Sequence, residues 1–247
     1  MHPSISLTSE RTLRIAPTRS EGVYENCSED ELREHRLRLV LAWRDAIADS
    51  AFPWIREIVP SASCLLVEFD PGGVLFADAV VLVENTIRDC TTRTHHQHEG
   101  GQREIRIPAC YDSELAPDLR TVARILGLNI GSVVERHLSA SYIVECIGFS
   151  PGFAYIAGLD ETLILPRRGE PRPRVQPGSI AIAGRHTAVY PHGSPGGWHL
   201  IGCTPVRVFD AHRAEPAMLR AGDAVTFYPI SRGEFEAWQR RAEEALP

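Results

Sequence analysis

Apolar residues recur at helical spacing after a polar N-terminal segment. They stand at Leu32, Leu39, Trp43 and Ile47. The preceding sequence SEDE, from Ser28 to Glu31, is a capping box, in which a serine hydroxyl and a glutamate carboxylate bind the free amide groups at a helix start. This pattern predicts a helix from Ser28 to Ala48.

Two short β-strands and a second helix are predicted next. The run from Trp54 to Asp70 is rich in apolar and β-branched residues, and Pro60-Ser61 marks a turn within it. The second helix is predicted over Asp78–Arg93, whereas about the first 18 residues are irregular and are expected to be frayed. The order helix, strand, strand, helix predicts a small α/β sandwich domain over residues 1–100.

The segment between residues 91 and 101, TTRTHHQHEGG, has no periodicity. It is expected to be a linker or a hairpin tip. Beyond it the pattern predicts a strand over Arg103–Cys110, a helix opened by Pro117-Asp118 and stopped by Gly127, a helix opened by a capping box at Ser132–Glu135, and a strand over Ser141–Gly148.

Glycine and proline become frequent from Gly148 onward, and only short β-like pieces remain. These pieces are SIAIAG, TAVYP, WHLIG, TPVRVFD and AVTFYPI. Such a pattern is typical of a compact β-barrel with functional loops. A terminal helix is predicted from Ser231, with Phe235 and Trp238 packing back onto the barrel. Together the elements predict an α+β protein whose second domain is a β-barrel over residues 101–247.

Composition narrows the class of protein. The 247 residues are 43% hydrophobic and 23% charged with a formal net charge of -6, so a buried core is expected and a general attraction to nucleic acid or anionic membranes is not. The N-terminus lacks the pattern of a secretory signal, and no apolar run is long enough to span a bilayer. The six cysteines include no CxxC pair. A cytoplasmic protein with reduced thiols is therefore expected.

The first candidate for chemistry is the segment GFSPGFAYIAGLD, from Gly148 to Asp160. Its glycines permit tight turns and close approach of the backbone to a ligand, although an ordinary barrel corner has the same composition. It lacks the Gly-Lys-Ser/Thr ending of a Walker A loop. The candidate binding residues here, including an aromatic wall, are Phe149, Pro151, Gly152, Phe153 and Tyr155.

The second candidate is the arginine segment PRRGEPRPRVQPG, from Pro166 to Gly178. Four arginines accompany one acid, Glu170, and guanidinium groups bind carboxylate or phosphate in a bidentate way. The prolines stiffen the segment, which lowers the entropy lost when a loop binds a ligand. A solvated charged loop is the alternative. Arg167 and Arg174 are the residues expected to hold anionic groups.

The third candidate is SPGGWHLIGCTP, from Ser194 to Pro205. Its binding residues are Ser194, Gly196, Gly197 and Trp198, because the two glycines allow close backbone approach and the indole offers a flat apolar surface. A serine hydrolase is disfavoured, since no G-x-S-x-G elbow is present. His199 is therefore expected to be a partly buried strand residue rather than a base.

Two other features resemble sites but are better explained as structure. His95, His96 and His98 could hold a metal ion, but no further ligand has a fixed geometry with them, and a solvent-exposed loop without metal is expected. Cys110 has no neighbouring base or positive charge in the sequence to activate it. A small buried thiol is expected there.

Taken in order, these three segments resemble the core of the allophanate hydrolase subunit 1 family. That family includes the B subunit of 5-oxoprolinase and the sporulation kinase A inhibitor (KipI-like) proteins, and it supplies carboxyltransferase subdomains C and D of urea amidolyases. Upstream, IPACYDSELAPDL at Ile107–Leu119 and CLLVEFDP at Cys64–Pro71 fit further family motifs. The chain departs from the family at Ser150, Ala154 and Ala116, which bears on the substrate more than on the fold.

The resemblance implies a cyclophilin-like β-barrel and a role as one subunit of an ATP-dependent amide-cleaving enzyme. The implied partners are a homologue of subunit 2, which 5-oxoprolinases call the C subunit, and a LamB/YcsF-like subunit, with ATP as co-substrate and no nucleic acid or membrane partner. The implied reaction opens the cyclic amide 5-oxoproline to glutamate. Inhibition of a sensor histidine kinase, or hydrolysis of allophanate or a urea-type amide, remain alternatives. No catalytic residue follows from the sequence.

Overall fold

The chain divides into two compact units, Met1–Gly101 and Gln102–Pro247, here called the first and the second unit. A computed structural model describes residues 2–18, 28–93 and 103–244. Each unit has an apolar core of its own. Helices and strands occur in both, which confirms the predicted α+β class.

The first unit is a four-stranded antiparallel sheet packed on two helices. The strand order is β1-β2-β4-β3. Its elements are β1 (His2–Ser9), β2 (Thr12–Thr18), α1 (Glu29–Asp49), β3 (Ile55–Pro60), β4 (Leu65–Phe69) and α2 (Phe76–Arg93). The two predicted helices and the two predicted strands are therefore confirmed. The histidine tract at 95–98 lies outside the described residues.

The prediction of a frayed N-terminus was wrong. Residues 2–18 form the hairpin β1-β2, and β2 continues the sheet by pairing with β4. Leu13 and Ile15, which lie on one face of β2, are fully buried. Two inward apolar side chains two residues apart thus fix the strand within an otherwise polar sequence, because alternate residues of a strand face the same side.

Side-chain caps fix where the helices begin. The capping box before α1 is confirmed: Ser28 Oγ accepts from the Glu31 amide at 3.2 Å, and Glu31 Oε2 accepts from the Ser28 amide at 2.8 Å. The capping box predicted at Ser132–Glu135 was wrong. Asn129 caps that helix instead, since its side-chain oxygen accepts from the Ser132 amide at 2.8 Å, and the helix begins earlier, at Ile130.

The second unit is built on a seven-stranded sheet that curls into a nearly closed barrel, as predicted. The sheet order is β12-β9-β10-β7-β6-β13-β5. The strands are β5 (Glu104–Ala109), β6 (Tyr142–Ile147), β7 (Ala154–Ala157), β8 (Arg172–Val175), β9 (Ser179–Ala183), β10 (His186–Val189), β11 (Ser194–Gly196), β12 (His199–Cys203) and β13 (Ala224–Pro229). The helices are α3 (Leu119–Leu126), α4 (Ile130–Ser139) and α5 (Arg232–Glu244).

One bridge closes the seam between the two edge strands of the barrel. The Cys110 amide donates to the Cys203 carbonyl at 2.8 Å, and the Cys203 amide donates back at 2.9 Å. Both thiols are buried, which confirms the expectation for Cys110. Disulfides are absent among the cysteines of the described ranges.

Two expectations for the C-terminal part were wrong. The piece TPVRVFD forms no strand, because after Cys203 the Thr204 amide bonds to the Gly178 carbonyl and the chain leaves the sheet. The terminal helix α5 exists, and Phe235 packs inward as expected, but Trp238 is 40% exposed. In the described part of the chain, no helix combines the length and apolar character needed to cross a membrane.

Successive residues of the barrel strands face opposite sides. Ile180, Ile182 and Ile201 point into the barrel core, whereas Ala181 and Leu200 belong to a second apolar cluster. The two-stranded sheet β8-β11 supplies Val175 to this second cluster. The barrel wall thus has an outer face built on small side chains, and we call it the alanine face after Ala181, Ala183 and Ala188.

Candidate functional site

The sheet β8-β11 packs against the alanine face with a defined side inward. Its register pairs Val175 with Ser194 and Arg172 with Gly196. Paired residues of neighbouring strands project to the same side, and residues two apart in one strand do so as well. The register shifts by one residue between these two pairs, and such a bulge breaks the normal alternation. Arg172 and Val175 are accordingly both more buried than the two residues between them, and Ser194 and Gly196 are both more buried than Pro195, so these four residues face the barrel.

Aromatic side chains gather beside this sheet. The ring of Phe153 lies 5.2 Å from that of Tyr155, 5.3 Å from those of Phe149 and Tyr190, and 5.6 Å from that of Trp198, measured between centroids. Their edge-to-face arrangement is the favourable one for aromatic pairs. The structure thus brings together the four aromatic residues predicted from two separate segments and adds Tyr190, which the sequence analysis missed.

Backbone geometry shapes the loop that carries Phe149. This residue has φ 67 and a side chain that is 63% exposed. A non-glycine residue in the left-handed region costs about 1–3 kcal/mol, so the surrounding loop must hold it there. Gly152 has φ 78, and a Cβ on it would lie 2.5 Å from Phe209, which explains the glycine. Pro151 is exposed at the tip of this loop.

Asp118 is the centre of a charged cluster. Its Oδ1 accepts from Arg168 Nη1 at 2.9 Å and from Arg172 Nη2 at 2.7 Å, while its Oδ2 accepts from the Leu200 amide at 2.8 Å. The Asp118 amide also donates to the Leu200 carbonyl at 3.0 Å. One buried aspartate thereby binds the backbone amide and carbonyl of Leu200 on the edge strand β12, and its carboxylate also anchors the arginine segment.

Opposing effects act on the Asp118 carboxyl. Burial raises its pKa, but the hydrogen bonds from Arg172 and from the Leu200 amide, together with the charges of both arginines, outweigh burial and leave the pKa below its ordinary value. The carboxylate is therefore ionised at neutral pH. It can hold both guanidinium groups in fixed positions.

Several buried polar atoms of this region have no hydrogen-bond partner in the protein. They are Ser150 Oγ, Arg168 Nε, Arg172 Nη1, Ser194 Oγ and His199 Nδ1. Buried polar atoms in native proteins are nearly always paired with protein groups, ordered water or ligand. Their concentration here marks this part of the second unit as the candidate site.

Arg167 and Arg174, the two arginines predicted to hold anions, are both exposed. The charge of Arg167, like that of Arg172, lowers the pKa of Tyr190, although burial of that phenol outweighs it and leaves the pKa raised. Arg174 lies beside Gly193, where a Cβ would be 3.4 Å from Arg174 Nε. Both residues therefore stand at the rim of the cluster, outside Arg168 and Arg172.

The two neighbouring glycines predicted for the site do different things. A Cβ on Gly196 would lie 2.3 Å from the Tyr190 hydroxyl oxygen, so only glycine lets that ring lie under β11. The Gly197 carbonyl accepts from the Arg168 amide at 2.8 Å. A Cβ there would only touch the Pro171 ring at 3.8 Å.

This difference allows a matched test. Gly196→Ala is expected to displace the Tyr190 ring and to lower the free energy of unfolding by about 1–3 kcal/mol, the usual cost of overpacking. Gly197→Ala is expected to change it by less than about 0.5 kcal/mol. Chemical denaturation of both variants measures the difference. Equal effects would show that the contact between Gly196 and Tyr190 does not constrain the site.

A hydrogen-bonded pair of a histidine and a glutamate lies beside the aromatic cluster and was not predicted. His186 Nε2 is 2.7 Å from Glu145 Oε2, and Glu145 is almost fully buried. Glu145 falls where the register of β6 against β7 shifts, and such a bulge turns a side chain out of the normal alternation. The His186 ring lies 5.8 Å from that of Tyr155. No local motif joins these two residues, so periodicity could not find them.

The other sequence candidates have structural roles. His199 is a buried residue of β12, as expected, and its Nε2 donates to the Pro166 carbonyl at 3.0 Å. Among the residues that the structure describes, no group of three or more histidine, cysteine, aspartate or glutamate side chains could hold a metal ion.

Comparison with known proteins places this chain in a family. Residues 13–219 match the family described as carboxyltransferase domain, subdomain C and D. The B subunit of 5-oxoprolinase from Bacillus subtilis (strain 168) is 34% identical over 221 residues, which are 86% of this chain and 91% of that protein. The B subunit of 5-oxoprolinase from Escherichia coli O157:H7 is 48% identical over 191 residues, 77% of this chain and 85% of that protein.

Solved structures share this fold. TTHA0988 superposes with a TM-score of 0.71 at 33% identity over 89% of this chain, which spans only 40% of the length of TTHA0988. The urea carboxylase of Kluyveromyces lactis, at 16% identity and a TM-score of 0.67, shares the fold over 95% of this chain and 22% of its own length. The chain therefore belongs to the carboxyltransferase domain, subdomain C and D family, together with the B subunits of 5-oxoprolinase.

Proposed function

We propose that this chain is the B subunit of an ATP-dependent 5-oxoprolinase, which opens the lactam ring of 5-oxoproline to give glutamate. The observation that carries the proposal is the similarity to two 5-oxoprolinase B subunits, one of them at 48% identity. The designation of those relatives as subunits implies further chains in such an assembly. We infer a homologue of the C subunit and a LamB/YcsF-like subunit as partners in the cytoplasm, with ATP consumed by the assembly.

The chemistry of the candidate site supports this substrate. 5-Oxoproline carries a small apolar ring and a carboxylate, and ATP-driven opening of its amide passes through anionic species. Phe149, which is 63% exposed, and half-buried Tyr155 offer an apolar surface that is backed by the buried rings of Phe153 and Trp198. Arg167 and Arg174 at the rim attract anions. In the proposed site Pro151 and Gly152 shape the loop of Phe149. Ser194, Gly196 and Gly197 belong to the segment that passes over the Tyr190 ring at Gly196.

The test is reconstitution of the assembly. When the chain is co-expressed with its partner subunits, the purified complex is expected to release glutamate from 5-oxoproline only when ATP is present. A preparation that lacks this chain but keeps the partners is the control and is expected to be inactive. An intact complex that releases no glutamate from 5-oxoproline would refute the proposed reaction, and hydrolysis of allophanate instead would redirect it to linear amides.

A further inference from the structure

The cluster around Asp118 holds one more positive charge than negative charge. Arg168 and Arg172 both donate to the same carboxylate, and their side chains are only 31% and 24% exposed. Among the described residues, Asp118 is the one carboxylate within 4.0 Å of either guanidinium group. Holding a charge away from water is costly unless an opposite charge accompanies it. One positive charge of the cluster therefore lacks a counter-charge in the described part of the protein.

Unused hydrogen-bond donors lie beside this charge. Arg168 Nε and Arg172 Nη1 are buried without a partner, and so is the Ser194 hydroxyl. Arg172 and Ser194 are among the less exposed residues of β8 and β11, so both lie on the inward side of that sheet. Three donors and an excess positive charge are complemented by a negatively charged group with several acceptor oxygens.

We propose that Arg168, Arg172 and Ser194 bind one oxyanion, a carboxylate or a phosphoryl group, and that Asp118 is the positioning residue of this subsite. Guanidinium groups match both anions in bidentate geometry. Bound water could satisfy the three donors, but it would leave the positive charge uncompensated. Asp118 acts through the arginines, because its own oxygens are occupied by them and by the Leu200 amide.

The neighbours of the subsite define what accompanies the oxyanion. Gly196 is paired with Arg172 in the register, and Tyr190 lies against Gly196. The Tyr190 ring and the Trp198 indole both pack on Phe153. These three rings are buried, but exposed Phe149 and half-buried Tyr155 pack on Phe153 and present apolar surface there. The ligand is therefore expected to join its anionic group to a compact apolar part. The choice of ligand rests on the proposed function: a lactam substrate presents a carboxylate, whereas a nucleotide or a phosphorylated intermediate presents a phosphoryl group.

Direct titration of the full-length chain tests the subsite. The probes are 5-oxoproline, its neutral carboxamide and inorganic phosphate. The readout is the side-chain Nε–H resonances of Arg168 and Arg172, assigned by NMR with Arg168→Lys and Arg172→Lys variants. An anion is expected to shift both resonances, and the carboxamide is expected to bind at least tenfold more weakly than 5-oxoproline if the ligand group is the carboxylate.

Each result of the titration decides something. A response to 5-oxoproline identifies the substrate carboxylate as the ligand group, and a response to phosphate alone identifies a phosphoryl group. If neither anion shifts the resonances, or if the carboxamide binds as tightly as 5-oxoproline while phosphate has no effect, the subsite does not exist. The wild-type chain alone gives these answers, and binding to it is independent of glutamate release by the complex, so failure of the subsite and failure of the proposed function are distinguishable.

Variants then separate binding from folding. Arg172→Gln is expected to weaken anion binding at least tenfold, while Arg213→Gln, at an exposed arginine paired with Asp210, leaves it unchanged. Added guanidinium ion is expected to restore binding to Arg172→Ala, which a purely structural role would not predict.

Asp118→Glu is expected to retain more binding than Asp118→Asn. A folded Asp118→Asn chain that binds the anion as tightly as the wild type would contradict the positioning role.

Discussion

Replacing Asp118 with alanine is expected to lower the free energy of unfolding of the second unit by about 3–5 kcal/mol, the range found when one partner of a buried ion pair is removed. The change takes the acceptor away from two guanidinium groups and from the Leu200 amide. The Leu200 amide stays buried and the two guanidinium groups stay partly buried, so these donors lose bonds to protein without gaining full bonds to water. Urea denaturation monitored by circular dichroism measures the effect.

A matched control for Asp118→Ala is Glu236→Ala on α5. Glu236 accepts from Arg232 Nε at 2.8 Å, but its side chain is 46% exposed, and exposed pairs contribute about 0–1 kcal/mol. A loss no larger for Asp118 than for Glu236 would mean that water replaces Asp118 at low cost. In that case the aspartate would not be what anchors the arginine segment to the barrel.

Acid is expected to destabilise the second unit through His137 well before the carboxylates titrate. Burial lowers the pKa of His137 to about 3, against about 6.5 in an unfolded chain. The unfolded state therefore binds an extra proton below pH 6.5. The stability that comes from keeping His137 neutral is complete above that pH and is lost progressively down to about pH 3. The loss is about 1.4 kcal/mol per pH unit, or about 2 kcal/mol between pH 7.5 and pH 5.

The hydrogen bonds of His137 explain why the neutral ring is held. Thr187 Oγ1 donates its proton to the Ala181 carbonyl at 3.1 Å, so at 3.0 Å it must accept from His137 Nε2. Nδ1 is then the unprotonated nitrogen and accepts from the Tyr111 hydroxyl at 2.7 Å. A second proton on the ring would have to displace that hydroxyl bond inside the core.

The measurement is the free energy of unfolding of the wild type and of His137→Gln between pH 7.5 and pH 5. Carboxylates of ordinary or lowered pKa stay ionised over this range. The variant is expected to show a flatter dependence, while His212→Gln, at an exposed histidine, is expected to follow the wild type. Parallel curves for the wild type and His137→Gln would assign the acid sensitivity to another group.

Local signals predicted the framework of this protein well. The sequence SEDE located α1, and short apolar runs separated by glycine and proline located most strands of the barrel. Errors arose where local pattern was ambiguous. Both Asn129 and Ser132 can cap a helix, and the structure uses Asn129. TPVRVFD has the alternation of a strand, but it leaves the barrel sheet after Cys203 and pairs through an isolated bridge between Phe209 and Ala217.

The candidate site was only half predictable for a physical reason. Glycine, proline and aromatic residues that shape loops are contiguous in sequence, so Gly148–Asp160 and Ser194–Pro205 could be found. Pairing between polar side chains is not local: Arg172 reaches Asp118 across 54 residues and His186 reaches Glu145 across 41. Within a run of four arginines, only the folded chain distinguishes the inner pair at Asp118 from the exposed Arg167 and Arg174.

The parallel pairing of β5 with β13 has a consequence for the order of folding. The Arg103 and Asp223 side chains at the start of this pair are bonded across 120 residues. Closing a loop of that length costs about 4 kcal/mol of chain entropy before any contact rewards it. Apart from the bridge at Cys110, β13 is the strand that pairs with β5. The barrel is therefore expected to close late and in one step, and a chain cut before Ala224 is expected to leave β5 as an open, aggregation-prone edge.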